Sequence, residues 1–572
     1  MTKNSEIAGI FYEMADLLEM QGVQWKPRAY RNAARAVDAA EDVELILKKG
    51  GKKALMEIPG IGESIADKII EYIDTGRIKE YEKLTGKLPE GVHAMMHIMG
   101  VGPKKAWRLY KELNIRSVDE LEKACKQGKI RQLKGFGAKT EEDILKGIAT
   151  LRKGQERINL GKAWLISQEI IQHLKKLKEV KVITPAGSLR RMQETIGDID
   201  ILVISVKPEI VMDTFVSMPD VVRVLARGKT KSSVQLKDGV NADVRVLEPR
   251  SFGAALQYFT GSKDHNIALR QIAIRKGLKL SEYGLFKGKK QVAGKTEEEI
   301  YKKLGLQYVE PELRQNSGEI EAARAGKLPR IIGYDSIRGD LHTHSKWSDG
   351  VNTLEEMVQA AIKMGYEYIA LTDHSKSEHI AHGMEEKRLA KYIAEIEKLK
   401  KKYAGRIRVL CGSEVNIMND GSLDYSKKLL DQLDWVVASV HSRFKSSEEE
   451  MTKRIIRAIE TGQMNVLGHP TGRLIGTREP YAVNMERVIE AAKENNVALE
   501  INAFPLRLDL KDSHVRMAVE AGAKLCIGTD SHNTNHLPVM RFGIAQARRG
   551  WAEEKDVINT WKWNKLEKHI SK

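Results

Sequence analysis

The most informative segment of this sequence reads GSLRRMQETIGDID, from Gly187 to Asp200. Asp198 and Asp200 stand two residues apart at the start of an apolar run, so a β-strand there places both carboxylates on one face. Asp243 lies in a second short β-branched run, ADVRV. Three carboxylates on neighbouring strands can hold two Mg²⁺ or Mn²⁺ ions, which stabilise the attacking and leaving oxygens of nucleotidyl transfer. We therefore interpret the three aspartates as a catalytic metal triad.

Residues on either side of the triad suit a bound triphosphate. Gly187 and Ser188 offer backbone and hydroxyl donors, and Arg191 supplies positive charge. A single Asp-x-Asp pair is more often a strand end or a turn, but the whole constellation is specific. It resembles the palm of the family X DNA polymerases. Asn241 departs from that pattern, because polymerase beta has an arginine there, and this leaves fidelity and activation of the primer terminus open.

The resemblance continues into the run YFTGS, residues 258–262. It implies that the aromatic pair and the adjacent backbone crowd the sugar of an incoming deoxynucleoside triphosphate, that an asparagine approaches the base, and that an arginine faces the template. The nucleotide-binding positions implied in this sequence are Gly187, Ser188, Arg191, Gly197, Tyr258, Phe259, Gly261, Ser262, Asn266 and Arg270. Simple core packing would also explain either aromatic residue taken alone.

A repeated glycine turn marks the helical first quarter of the chain. It reads IPGIG at 58–62, IMGVG at 98–102 and LKGFG at 133–137. Two glycines allow a tight turn whose N–H groups can bind a backbone phosphate at a helix start. Three such turns resemble helix-hairpin-helix motifs and imply that the chain binds gapped or nicked double-stranded DNA. The DNA-binding positions that follow are Gly60, Gly62, Gly100, Gly102, Gly135, Gly137, Lys26 and Tyr30.

The first of these turns belongs to a longer segment that resembles the small N-terminal domain of polymerase beta. The similarity covers AYRNAA at 29–34 and ADKI at 66–69. It implies that Lys68 forms a Schiff base with an abasic sugar and that Lys26 and Tyr30 belong to the same site. That chemistry requires an unprotonated amine. A surface lysine beside a DNA-contacting turn explains the sequence equally well.

The last 240 residues carry a different signature. Nine of the fifteen histidines fall between His342 and His532, in short clusters such as DLHTH, TDH and GHP. Most follow predicted strands that alternate with helices, and active groups at strand C-terminal ends are typical of a β/α barrel. A His-x-His pair on a strand places both imidazoles on one face, as a shared metal requires.

These clusters resemble the PHP (polymerase and histidinol phosphatase) family, which binds up to three metal ions. The resemblance assigns one ion to His342, His344, Glu414 and Asp530, a second to Glu414, His441 and His469, and a third to Asp349, His374 and His532. Zn²⁺, Mn²⁺ and iron all fit such ligands, and metal-activated water attacking a phosphodiester follows. The implied activities are 3′-5′ exonuclease and cleavage at abasic sites. Arg443 and Arg473 either bind the phosphate or form surface ion pairs.

Composition agrees with a DNA-binding enzyme. The chain has 572 residues, a formal net charge of +17, 42% hydrophobic residues and three scattered cysteines. Excess positive charge favours a polyanionic partner. No apolar run is long enough for a membrane span, and Met1–Met20 does not read as a signal peptide. We expect a monomer in the cytoplasm, associated with the nucleoid.

The predicted architecture is a multidomain α+β chain with a helical region, a nucleotidyltransferase palm with thumb, and a PHP-type β/α barrel. The predicted parts are 1–82 (lyase-like), 83–150 (second helix-hairpin-helix region), 151–250 (palm), 251–313 (nucleotide-selecting subdomain), 314–335 (linker) and 336–572 (barrel). Gap-filling repair synthesis with exonuclease is the predicted function. The alternatives are a polymerase with an inert barrel, a nuclease with a silent palm, and a non-catalytic DNA-binding scaffold.

Overall fold

The structure is a computed structural model of the chain. It describes residues 3–20, 23–40, 43–85, 92, 95, 98, 101, 103–133, 135–155 and 157–570. The chain divides into two compact units, Met1–Gln155 with Gly476–Arg478 and Glu156–Ile475 with Glu479–Lys572. The finer division into six parts remains a prediction.

The first unit is helical in its described parts. In α4, Ile65, Ala66 and Ile69 are buried at helical spacing, and the helix ends at Gly76, whose φ of 70° is left-handed. These side chains join one apolar core with residues from the other helices. The helices are α1 (Lys3–Met20), α2 (Lys26–Ala39), α3 (Val43–Met56), α4 (Glu63–Thr75), α5 (Lys79–Thr85), α6 (Pro103–Leu113), α7 (Val118–Lys126) and α8 (Ala138–Gln155).

The second unit begins with the predicted palm, whose five-stranded sheet has the order β2-β4-β7-β6-β5. The central strands β4 and β7 are parallel, and Asp200 pairs in register with Asp243. This register brings the predicted metal triad to one sheet edge. The elements are β1 (Ile158–Asn159), α9 (Leu160–Lys175), β2 (Val180–Pro185), α10 (Gly187–Arg190), β3 (Thr195–Ile196), β4 (Asp198–Ser205), α11 (Pro208–Val216), β5 (Val221–Arg227), β6 (Lys231–Leu236) and β7 (Asn241–Leu247).

A second group of elements follows the palm and has its own apolar core. The predicted linker, 314–335, is not an open connection, because Ile320 and Ala323 of its helix are buried in that core and Arg314 is fully buried. The segment is polar because Arg314 belongs to a buried ion pair, and not because the segment is a solvent-exposed linker. The elements are α12 (Phe252–Thr260), α13 (Lys263–Arg275), β8 (Lys279–Ser281), β9 (Gly284–Lys287), β10 (Lys290–Ala293), α14 (Glu297–Leu304) and α15 (Glu319–Ala325).

The ion pair in question centres on Glu297, which binds Arg190 and Arg314 at 2.6 Å each. Burial opposes its ionisation, but the two guanidinium groups outweigh burial and lower its pKa to about 2. We expect Glu297→Ala to destabilise this unit by about 3–5 kcal/mol, because it leaves buried arginine charge unpaired. Denaturant unfolding at neutral pH measures the loss.

The stabilisation by Glu297 is present above its ordinary pKa of 4.5 and is lost as the pH falls towards 2. Asp220→Ala is the matched control, since Asp220 pairs with Lys237 on the surface at 3.0 Å. An exposed pair of this kind contributes about 1 kcal/mol at most. Equal losses in the two variants would contradict the prediction.

The third group of elements forms a parallel sheet of seven strands in chain order, β11 to β17. A parallel bridge between Thr343 and Ser531 links its two ends, so the barrel is nearly closed. The elements are β11 (Gly339–Asp340), α16 (Leu354–Lys363), β12 (Tyr368–Leu371), α17 (Glu386–Lys402), β13 (Arg408–Asn416), α18 (Lys427–Leu430), β14 (Trp435–Ser439), α19 (Glu448–Glu460), β15 (Val466–Leu467), α20 (Met485–Glu494), β16 (Ala498–Asn502), α21 (Asp512–Ala521), β17 (Leu525–Gly528), α22 (Met540–Arg549) and α23 (Trp563–Ile570).

None of the helices among the described residues combines the length and the apolarity that a bilayer crossing requires. Cys125, Cys411 and Cys526 are all buried and form no disulfide with one another. Burial raises the pKa of each of these thiols. A packing role for the cysteines follows.

Candidate active sites

The palm triad lies at one edge of the sheet, where β4 and β7 begin. Burial, followed by the nearby charges of Asp198 and Asp243, raises the pKa of Asp200 to about 7. Lys231 Nζ lies 3.1 Å from Asp243 Oδ2, and an Arg245 guanidinium nitrogen lies 3.6 Å from the same oxygen. A divalent cation would relieve the repulsion between these carboxylates, so their charges favour a metal. The three carboxylates are not among the groups of ligand atoms that lie within 4.8 Å of one another in the described residues, so a bound metal would have to draw them closer together.

This raised pKa predicts a pH-dependent metal affinity. Because Asp200 must lose its proton to bind Mg²⁺, we expect the Mg²⁺ concentration for half-maximal primer extension to fall as the pH rises from about 6 to 8. Below the pKa the change approaches about tenfold per pH unit. Titrations with Mg²⁺ at fixed pH measure it, and Mn²⁺ titrations should shift in parallel. A half-saturating concentration that does not change with pH would contradict the prediction.

The loop before the triad places the predicted triphosphate-binding residues. Gly187 has a left-handed φ of 60°, and a Cβ there would lie 2.5 Å from Asp200 Oδ2, so only glycine fits. Burial, with the guanidinium groups of Arg549 and Arg314, lowers the pKa of Arg191 to about 10. Among the described residues, Arg191 Nε is buried without a hydrogen-bond partner. Unpaired guanidinium N–H groups suit an anionic ligand.

The run 258–262 packs beside this loop. The rings of Tyr258 and Phe259 meet edge to face with centroids 5.2 Å apart. Arg191 donates a hydrogen bond to the carbonyl of Thr260, and Ser262 caps α13 by accepting from the His265 N–H. These contacts bring two separate sequence motifs together.

The other predicted nucleotide-binding residues are placed less directly. Asn266 is buried and donates to the Tyr258 carbonyl at 2.7 Å, so its amide serves the turn in this state. A Cβ at Gly197 would lie 3.1 Å from an Arg157 nitrogen, and Arg270 is half-buried on α13. Their roles towards a nucleotide remain predictions.

The first and third glycine turns have the geometry expected of phosphate-binding loops. Gly60 and Gly135 have left-handed φ values of 92° and 87°. Gly62 begins α4 without a side-chain cap, and Gly137 precedes α8. Helix N–H groups at such starts are available to an anion. Gly100 and Gly102 lie outside the described residues.

The three predicted lyase residues gather around an acidic residue that the sequence did not single out. Glu80 Oε2 lies 3.0 Å from Lys68 Nζ, and Glu80 Oε1 lies 3.9 Å from Lys26 Nζ. Burial and Glu80 together raise the pKa of Tyr30. Schiff-base formation requires a free lysine amine. Lyase chemistry at Lys68 remains a prediction.

In the barrel the predicted ligands converge at the C-terminal ends of the strands. Glu414 of β13 lies at the centre, with histidine nitrogens 2.9 to 3.5 Å from its oxygens. Three groups place their ligand atoms within 4.8 Å of one another. The groups are His342, His344, Glu414 and Asp530; His374, Glu414 and His441; and His344, Asp349, His374 and His532.

These groups differ from the predicted sets in three ways, of which the first is that His469 is absent from the second group. His344 also faces the third group, and His374 also faces the second. His469 Nε2 lies 2.9 Å from Glu414 Oε1, so it remains beside the second group. We call these nine residues the metal cluster: His342, His344, Asp349, His374, Glu414, His441, His469, Asp530 and His532.

The electrostatics of the metal cluster fit bound cations. Burial lowers the pKa of His374 to about 3. Burial opposes protonation of His532, but Asp349 outweighs it and raises the pKa of His532 to about 9. Among the described residues, His342 Nε2 and both ring nitrogens of His344 are buried without hydrogen-bond partners. Buried polar atoms normally have a partner, so these nitrogens suit metal coordination.

Several residues that support the metal cluster were missed from the sequence. Glu500 Oε1 lies 2.6 Å from His342 Nδ1, and its other oxygen accepts the His469 N–H at 2.6 Å. Asn416 Oδ1 lies 2.5 Å from His441 Nδ1. Such contacts fix the ring orientation of metal ligands. A charged residue within the apolar strand ALEIN was the available signal for Glu500.

The arginines near the cluster differ from expectation. Arg473 is 9% exposed and pairs with Glu194 at 2.6 Å, so it is neither a surface ion pair nor free to bind phosphate. Arg443 is exposed. Arg507, which the sequence did not single out, lies 3.3 Å from Asp530 Oδ2. Its Nη1 is buried without a hydrogen-bond partner among the described residues, as a phosphate-binding group requires.

Four family models match the chain. A helix-hairpin-helix domain matches residues 2–78, and a SAM-like helix-hairpin-helix tandem matches 93–150. The DNA polymerase beta thumb matches 255–315, and the PHP domain matches 340–504. The predicted fold class is confirmed by these matches and by the nearly closed seven-stranded barrel.

Relatives with curated names match the whole chain or the barrel alone. Proteins named "Probable phosphatase" from Thermoanaerobacter sp. (strain X514) and Aliivibrio fischeri (strain ATCC 700601 / ES114) are 34% and 28% identical, each over 39% of this chain and 89% and 88% of their own lengths. The DNA polymerase/3′-5′ exonuclease PolX of Bacillus subtilis (strain 168) is 38% identical over 97% of both chains. The chain therefore belongs to the PolX family.

Proposed function

We propose that this protein extends DNA 3′ ends from deoxynucleoside triphosphates at the palm triad and removes nucleotides from 3′ ends at the metal cluster. The observation that carries the proposal is the presence of two separate sites in one compact unit. One is an aspartate triad in which Asp200 and Asp243 are paired in register, and the other is a buried histidine-carboxylate cluster of metal-ligand type. The name of the Bacillus subtilis relative joins the same two activities.

For synthesis, the residues of the palm orient and neutralise the nucleotide. Ser188 and Arg191 face the triphosphate, and the ring pair of Tyr258 and Phe259 forms a rigid wall for the sugar. Mg²⁺ or Mn²⁺ bound by the triad would neutralise charge on the phosphates and favour the attacking 3′ oxygen. Asp243, which pairs with Lys231 at 3.1 Å, would be one of the ligands of that metal.

For exonuclease action, the barrel residues bind the phosphodiester and fix the ligands. Glu500 accepts a hydrogen bond from the Nδ1–H of His342, which leaves His342 Nε2 free to bind a metal ion. Arg507 holds the phosphate beside Asp530. Up to three Zn²⁺, Mn²⁺ or iron ions would supply a water nucleophile at neutral pH and polarise the phosphorus. The ring nitrogens of His344, which are buried without a hydrogen-bond partner among the described residues and face the carboxylates of Asp530 and Glu414, support this loading.

The same reasoning supports a substrate and a setting. Glycine turns that present N–H groups, together with a net charge of +17, favour gapped or nicked duplex DNA, bound by its backbone. We extend the proposal to repair synthesis by a monomer in the cytoplasm, associated with the nucleoid. Cleavage at abasic sites by the barrel is the further activity to examine.

The test uses a 5′-labelled primer in a gapped duplex with Mn²⁺, and products resolved by length. Longer products with nucleotides and shorter products without them are expected, and chelation should abolish both. Binding to the gapped duplex with neither lengthening nor shortening would overturn the proposal and favour a DNA-binding scaffold.

A further inference from the structure

The carboxylate of Glu194 lies in the palm but is bound by the barrel. Arg473 donates two parallel hydrogen bonds to it, at 2.6 Å and 3.1 Å, and Gln546 donates a third at 2.8 Å. Glu194 is three residues beyond Arg191, in the loop that leads from the triphosphate-binding residues to Asp198. A bidentate arginine pair fixes the geometry of this loop as well as its charge.

On the barrel side, Arg473 directly follows a turn that begins at His469, a residue of the metal cluster. His469 has a left-handed φ of 24°, a strained conformation for a residue with a side chain. The Gly472 N–H donates to the His469 carbonyl at 2.9 Å, so the turn is closed directly before Arg473. Strained backbone persists only when its surroundings hold it. The Glu194 carboxylate binds the side chain of Arg473, the residue directly after this turn.

Arg473 also connects to a second metal-site segment. Its Nε donates to the Arg507 carbonyl at 2.9 Å, and Nη2 donates to the Leu508 carbonyl. Arg507 touches Asp530, while Leu508 is fully buried in the apolar core of the palm. One arginine therefore ties two segments of the metal site to a palm carboxylate.

The contact between palm and barrel around Glu194 is tightly packed, so a shift of one side displaces the other. Phe542 of the barrel is buried in the palm core and meets Trp164 edge to face at 6.4 Å. A Cβ at Gly161 would lie 2.6 Å from a side-chain atom of Pro505, so these segments are in close contact. Close-packed interiors relax little around a change, so a shift of Glu194 is passed on.

We propose that Glu194 is a positioning residue for both active sites: through Arg473 it holds the turn of His469 and the Arg507–Leu508 segment, and the same pair holds the triphosphate-binding loop of the palm. This inference rests on the two activities proposed above. It predicts reciprocal effects, in which substitution of Glu194 in the palm impairs the exonuclease and substitution of Arg473 in the barrel impairs synthesis.

The test compares Glu194→Gln, Arg473→Gln and the double variant in the full chain. For Glu194→Gln we expect exonuclease turnover to fall about tenfold and the affinity of the metal cluster for Zn²⁺, measured by chelator competition, to weaken about tenfold, as for other residues that support ligands. For Arg473→Gln we expect KM for the nucleotide to rise more than kcat falls. The double variant should be no worse than the poorer single variant.

Arg487→Gln is the matched control, because Arg487 pairs with Glu449 on the exposed surface of the barrel at 2.6 Å. It should retain parental activity. Loss of exonuclease in Arg473→Gln with parental exonuclease in Glu194→Gln would overturn the inference and assign Arg473 to the substrate. Lower melting temperatures with parental kinetics and Zn²⁺ affinity would also overturn it. An inactive parent would refute the proposed function, whereas the Zn²⁺ affinities would still test the coupling.

Discussion

Replacing Asp243 by alanine should reduce primer extension by at least about a thousandfold while primer shortening continues at the parental rate. Asp243 is paired in register with Asp200, so its removal opens one side of the metal triad and frees Lys231 from its 3.1 Å contact. Metal stabilisation of a phosphoryl transition state contributes several kcal/mol, and each 1.4 kcal/mol is about tenfold in rate. Single-turnover extension of the gapped primer measures the loss.

The control for Asp243→Ala is Asp213→Ala, since Asp213 lies in the same sheet domain and forms an exposed ion pair with Arg227. It should extend and shorten the primer like the parent. Loss of shortening together with extension in Asp243→Ala would show that the palm triad also serves the exonuclease. In that case both activities would depend on the palm triad, and the assignment of the exonuclease to a separate site would be wrong.

The triad could be predicted from sequence because its information is local. Asp198 and Asp200 share a strand face by the period of two, and a parallel pairing of two β-branched runs sufficed to bring Asp243 beside them. The proximity of the predicted metal ligands in the barrel could be predicted from the sequence in the same way, since parallel strands in chain order bring their C-terminal ends together. In both sites the chemistry lies at the ends of regular elements.

The supporting residues could not be predicted in this way, because they act across long sequence separations. Glu500 reaches His342 over 158 residues, and Arg473 reaches Glu194 over 279. Nothing in the sequence around Arg473 distinguishes this buried, paired arginine from an arginine on the surface. The polar segment after Leu313 was predicted to be a linker because the buried partner of Arg314, Glu297, is distant in sequence. Charge in a sequence reports solvent exposure only when no partner is buried with it.

Replacing Glu414 by glutamine should reduce the rate of primer shortening by at least about a thousandfold and leave the rate of primer extension within about threefold of the parent. Glu414 is 1% exposed and contacts the five histidines His342, His344, His374, His441 and His469. Burial opposes its ionisation, but His374, His441 and His342 outweigh burial and hold its pKa well below its ordinary value. A neutral amide of equal size keeps the packing and removes the charge that several cations share.

Metal content provides the second readout for Glu414→Gln. We expect fewer bound ions per chain than in the parent, because two of the three ligand groups contain this carboxylate. Asp431→Asn, which alters an exposed carboxylate that pairs with Lys427 at 3.3 Å, is the control and should keep both activities at the parental level. Retained shortening in Glu414→Gln would refute the assignment of the exonuclease to the metal cluster. Retained extension shows that the unit shared by palm and barrel is folded, so lost shortening then reports the chemistry of the cluster alone.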